Sequence, residues 1–142
     1  MEKQDKELLI KELCARLPYK VRVKVWFTQQ GVNDEEEGEL DVEKNFHNVL
    51  NDFVWGKIYD IKPYLRPISA ITNEEQAEIN AMAYANKDYT GKEIYTFMGD
   101  VFTHISWFLE HHFDVNNLIE KGLAFEAPKD MYDIKSFGMQ KY

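Results

Sequence analysis

Residues 19–27, YKVRVKVWF, alternate without a break: Tyr19, Val21, Val23, Val25 and Phe27 interleave with Lys20, Arg22, Lys24 and Trp26. A period of two marks a strand with one buried face and one wet face. A lone strand cannot satisfy its own backbone N–H and C=O groups, so this stretch commits the chain to a sheet and to a layer covering its apolar side.

The nearest candidate partner is ELDVEKNF, residues 39–46. There Leu40, Val42 and Phe46 point one way while Glu39, Asp41 and Glu43 point the other. Folded back as an antiparallel hairpin, its acids oppose the bases of the first strand whenever the apolar faces stay together. The Lys-Arg-Lys-Trp face then reads as half of a cross-strand charge ladder rather than a nucleic-acid stripe with a stacking aromatic. The connection, TQQGVNDEEEGE, holds Gly31, Gly38 and four consecutive acids at 34–37. Consecutive acids lack the spaced ligands and distal glutamate of a calcium loop, so the segment is expected to be a solvated hairpin tip.

Helical spacing flanks this unit. Leu9, Ile10, Leu13, Cys14 and Leu17 form an apolar stripe over 5–17, which Pro18 ends; Cys14 is expected to be a buried small hydrophobe. Residues 46–71 suggest one or two further strands through Val49, Phe53, Val54, Ile58 and Ile61, with Pro63 and Pro67 denying the YLR between them a central strand position. Thr72 and Glu75 form a capping box ahead of a surface helix with a thin stripe of Ala77, Ile79, Met82 and Ala83, followed by a turn at 86–91. A second capping box, Thr90 with Glu93, opens the most regular element: Ile94, Phe97, Met98, Val101, Ile105, Phe108, Leu109 and His112 recur at i, i+3, i+4 and i+7, predicting a long core helix.

The histidines on that helix are the first place to seek chemistry. Asp100, His104 and His111 share one edge, with Trp107 beyond them, while His112 falls within the apolar face. His104 and His111 are two turns apart, roughly 10.5 Å, too far to hold one ion on a straight helix; the H-E-x-x-H pair of helical zinc sites is absent. The next segment, HHFDVNNLIEKGLA, has local explanations for its polar residues. Asp114 is a good N-cap, Phe113 and Leu118 form a hydrophobic staple, residues 115–121 are predicted as a short helix, and Gly122 is its C′ residue. This helix–turn–helix lacks the bases of a DNA-reading helix.

Other constellations are missing. No phosphate-binding glycine loop, dinucleotide fingerprint or nucleophile elbow occurs, and Ser69, Ser106 and Ser136 have no evident base. The net charge of −8, from 25 acids against 17 bases, opposes a phosphate-neutralising role. No apolar run approaches about 18 residues, the first twenty residues lack a secretory pattern, and a single cysteine precludes an internal disulfide.

Three segments carry a resemblance: LCARLPYKVRV, KPYLRPISAIT and HHFDVNNLIEKGLAFEAP. Together they resemble a family of small uncharacterised proteins of gut anaerobic bacteria, their phages and mobile elements, over the start, middle and end of the chain. Ile71 stands where that pattern has methionine, and NAMAYANKDYTGKEIYTF is extra sequence. The resemblance implies a phage or mobile-element accessory role in the cytoplasm of a bacterial host and carries over no catalytic residue.

The sequence thus predicts one α+β domain over 1–142: an N-terminal helix, a small antiparallel sheet of three to five strands, SH3-like in order, and a helical C-terminal half. The function expected is a non-catalytic protein-binding module without cofactor or membrane contact, whose partner, a second copy included, is not specified. Its contact residues are expected among Trp26, Trp55, Asp100, His104, Trp107 and His111. One alternative is a metal-dependent enzyme built on Asp100, His104 and His111. Another is an acidic decoy for a nucleic-acid-binding protein.

Overall fold

The computed structural model describes residues 2–85 and 105–132. Helix α1 (Lys3–Ala15) leads into strands β1 (Arg22–Gln29) and β2 (Val32–Glu39), helix α2 (Phe46–Trp55), strand β3 (Ile58–Leu65) and helix α3 (Asn73–Ala85). Helix α4 covers 105–110, and a short strand β4 (Phe125–Glu126) follows. The strands form one sheet in the order β2-β1-β3-β4. β1 runs antiparallel to both neighbours, but β4 joins β3 in parallel, so this α+β protein has a mixed sheet instead of the antiparallel one expected.

β1 falls on the alternating stretch; its partner does not fall where expected. The acidic segment read as a hairpin tip is itself β2, and the connection shrinks to Gln30 and Gly31. Both residues have positive φ, 51° and 78°, as a two-residue type I′ turn requires. That turn sets the register, with Arg22 opposite Glu39 and Lys24 opposite Glu37. The charge ladder therefore exists, with two of the expected acids and one new one: Arg22 lies 3.9 Å from Glu39, Lys20 3.7 Å from Asp41, and Lys24 Nζ 3.2 Å from Glu35. Acids tolerate this strand because it is the sheet's edge and solvent reaches almost its whole length.

Residues 46–55, expected as strand, are helix α2. Phe46, Val49, Leu50 and Phe53 repeat at helical spacing, a pattern their β-branched and aromatic character disguised. Gly56, at φ 89°, ends the helix. β3 also includes Pro63, contrary to expectation. The Leu40 N–H donates to the Val21 carbonyl, so odd-numbered β1 residues bond toward β2 and even-numbered ones toward β3. Pro63 faces Val23, so its nitrogen turns away from β1, on the flank where β4 pairs only with Tyr64 and Leu65. A missing N–H costs no ladder bond there.

The core lies on one face of the sheet. Leu9 and Leu13 of α1, Phe46 and Phe53 of α2, and Leu118, Leu123 and Ala124 of the C-terminal loop close over Val21, Val23, Ile58, Ile61 and Leu65. The buried stripe of α1 runs through Leu9, Glu12, Leu13 and Arg16, which leaves Cys14 exposed rather than buried. The α3 capping box forms as expected, with Thr72 N–H donating to Glu75 at 3.0 Å and Glu75 N–H to Thr72 Oγ1 at 3.1 Å. This helix lies on the surface.

The expected long core helix is described only over 105–110; Ile94, Phe97, Met98 and Val101 lie outside the described residues. Ile105 is exposed, and His112 is not helical: it follows the helix end at φ 64°. Residues 115–121 form turns instead of a second helix, because Asn117 adopts φ 57° and leaves the helical path. Asp114 still caps, its two oxygens accepting the Leu118 and Ile119 N–H groups at 2.9 Å each. Gly122 takes the positive φ expected of it, 76°.

Candidate functional site

Three regions hold the residues singled out by the sequence. The first is the histidine edge. Asp100 and His104 lie outside the described residues. Trp107, expected as a contact residue, is only 5% exposed, stacked on His111 at 4.0 Å and on Phe113 at 5.8 Å. Its burial follows from the chain doubling back after α4, which brings Phe113 beneath it. The Nδ1 of His111 is 2.8 Å from the Trp107 carbonyl. A carbonyl only accepts, so Nδ1 is the donor of this contact. Among the described residues no group of three His, Cys, Asp or Glu side chains could hold a metal ion.

His111 opens onto a cleft of about 1230 Å³ lined also by Tyr19, Arg66, Glu75, His112 and Tyr132. Several of its polar groups are committed to holding the fold. Arg66 grips Glu75 with two bonds of 2.6 and 2.8 Å, donates to the His111 carbonyl at 3.2 Å, and sits 4.2 Å over the Phe113 ring. Burial would raise the Glu75 carboxyl, but the Arg66 and Thr72 hydrogen bonds outweigh it and hold it down at about 2. The His112 ring stacks 3.7 Å from Tyr132, and its buried Nδ1 has no partner among the described residues. Burial, reinforced by the charges of Arg16, His111 and Arg66, pushes His112 down to about 3, so it is neutral at pH 7. The Tyr132 hydroxyl donates to the Tyr64 carbonyl and accepts from the Arg22 N–H, both at 2.8 Å.

Behind the cleft lies the most buried charge of the described chain. Arg16, 1% exposed, pairs with Glu12 at 3.2 Å and donates to the Phe113 carbonyl at 2.7 Å. Asn116 bonds the other Glu12 oxygen. These contacts tie α1 to the C-terminal loop. Helical spacing places Glu12 and Arg16 together, but nothing in sequence alone showed that this face would turn inward.

The second region is the outer face of the sheet. Trp26 lies 6.0 Å from Phe125, and Phe125 lies 5.3 Å from Tyr64. Lys24 and Lys62 cover Trp26 and Phe125 at 5.4 and 5.2 Å. Tyr64 bonds the Glu37 carboxylate, and burial together with that bond pushes its hydroxyl up to about 12. The expected contact residue Trp26 is therefore half-buried beneath its own neighbours.

The third region is the end of α2. Trp55 is 80% exposed, beside Val54 at 47%, with Tyr59, at the start of β3, also exposed. Of the three tryptophans, it alone stands open to solvent. Val54 was read as a strand residue and Tyr59 was not singled out, because residues 46–55 do not show themselves as helix in the sequence. Comparison with protein-family models, curated proteins and solved structures gives no match to this chain.

Proposed function

We propose that this chain is a non-catalytic protein-binding module, an accessory protein of phage or mobile-element type acting on a protein of its bacterial host or of the phage itself. The observation that carries this reading is Trp55, a large aromatic left 80% exposed next to Val54. Exposing this much apolar surface gains nothing for the fold, whereas tryptophan is the residue type most enriched where binding energy concentrates. Three polar groups of the cleft are consistent with the same reading, since Arg66, Glu75 and Tyr132 are each engaged in bonds that hold the structure. A photocrosslinking residue placed at 55 and irradiated in host cells should give one discrete protein adduct, which Val54→Glu removes. The absence of any adduct, together with measurable turnover by the purified chain, would overturn the proposal.

The acidic-decoy reading has one observation in its favour: residues 34–37 are all exposed. Glu35 and Glu39, however, are already paired with Lys24 and Arg22, which reduces the charge available to a basic partner. A decoy would bind with a steep salt dependence and little regard for partner conformation.

A further inference from the structure

β2 ends the sheet on one side, and among the described residues no strand pairs with its outer edge. The hydrogen-bond parity of the hairpin identifies which groups are free. Even-numbered β2 residues bond inward to β1, so Asn33, Glu35, Glu37 and Glu39 turn their backbone N–H and C=O groups outward. Two local contacts bound the open stretch. The Asn45 side chain donates to the Glu39 carbonyl at 2.9 Å, closing one end, and Asp34 Oδ1 accepts the outward Glu35 N–H at 2.8 Å, a bond that a short side-chain movement releases. What remains is an edge of about five residues, 33–37, long enough to take an added strand.

The side chains along this edge restrict what can dock. Glu35 is neutralised by Lys24, whereas Asp34 and Glu36, on the opposite face of the strand, have no ion pair among the described residues, and Glu37 is met only by the Tyr64 hydroxyl. A second copy pairing through β2 would set acid against acid in every register that overlaps residues 34–37, which is unfavourable. The protein also contains an example of the strand that suits these acids. β1, with Arg22 and Lys24 alternating with Val23 and Val25, already occupies the inner edge.

We infer that the outer edge of β2 binds an extended segment of a partner protein in which Lys or Arg alternates with β-branched residues, added as a further strand. This rests on the protein-binding reading above and specifies the chemistry of its partner. The probe is a synthetic nine-residue peptide alternating Lys or Arg with Val, titrated against the full chain and followed by amide hydrogen exchange and fluorescence anisotropy. Binding should protect the Asn33 and Glu37 amides. Asp34→Lys/Glu36→Lys, which alters exposed side chains only, should weaken it at least tenfold at unchanged Tm. A block-ordered peptide of the same composition, and the alternating peptide N-methylated at every second residue, should each bind at least tenfold more weakly. Equal binding of all three peptides would overturn strand addition in favour of a charge-only decoy. Protection of the same amides without peptide, with a doubled mass in solution, would overturn it in favour of a self-pairing edge. If instead the peptide fails while the crosslink from position 55 persists, strand addition alone is lost and the protein-binding reading stands.

Discussion

Two regions of this protein handle charge in opposite ways. Around Arg16 every charged group is buried and engaged: the guanidinium meets Glu12 and the Phe113 carbonyl, Asn116 meets Glu12, and Asp114 accepts two backbone N–H groups. Along the β1–β2 hairpin the charges are partly or fully exposed, and only some of the acids are matched by bases. Desolvation accounts for the difference. A buried charge without partners costs several kcal/mol, so the interior pairs Arg16 with Glu12 even though Arg16 Nη1 has no partner among the described residues, whereas an exposed acid costs almost nothing to leave unpaired. The first region is therefore where substitutions should unfold the protein, and the second, with the nearby apolar end of α2, is where they should alter binding without unfolding it.

The largest effect expected is at Arg16. Arg16→Met leaves Glu12, 3% exposed, without its cation and should cost about 3–5 kcal/mol in urea unfolding. Adding Glu12→Leu should recover most of that loss, because a buried pair replaced by apolar groups of similar size is close to neutral. Failure of the double variant to recover would mean that the Phe113 contact, not the ion pair, ties α1 to the loop. Asp114→Ala comes next. It leaves the Leu118 and Ile119 N–H groups without an acceptor at a buried site, for a loss of about 2 kcal/mol by the same assay.

A comparable loss should follow from acid alone. His112 has a folded pKa of about 3 against an ordinary value of 6.5, so the unfolded chain binds the extra proton between those limits. The stability this contributes is complete above pH 6.5 and is lost as pH falls toward 3. By pH 5 the loss from this residue should reach about 2 kcal/mol. His112→Asn suits the left-handed backbone at this position and should flatten the slope between pH 7 and pH 5. An unchanged slope would assign it to another group. Glu75, held at about 2, titrates lower, between pH 4.5 and 2, and its contribution is lost only there.

The smallest effect should come from the hairpin. Lys24→Ala removes an exposed cross-strand pair and one cover of Trp26, and should cost about 0.5 kcal/mol or less, diminishing further in high salt. A loss as large as that of Asp114→Ala would end the contrast between the two regions.

How much of this was legible in sequence follows the same division. Local patterns with a single solution were readable. The 19–27 alternation became β1, the Thr72–Glu75 box formed, and Asp114 and Gly122 took their capping positions. Patterns whose meaning depends on what packs against them were misread. Residues 34–37 looked like a tip because acids seldom form strands, yet a two-residue turn and an edge position make a strand there inexpensive. Helix α2 looked like strand because Val49, Phe53 and Val54 are residue types that favour strands. Cys14 and Trp107 exchanged their expected environments, because an apolar side chain records a preference for burial, not which face turns inward. Of the expected contact residues among those described, Trp55 is the one left open, Trp26 is half-covered, and His111 is tied to Trp107.

The central claim is that the exposed end of α2 serves binding and not stability. It is tested most directly by Trp55→Ala, with the photocrosslinking residue moved to the exposed position 59 and recovery of the same protein partner measured alongside Tm. The partner signal should fall at least tenfold with stability changed by no more than about 0.5 kcal/mol. Undiminished recovery at unchanged stability would contradict it.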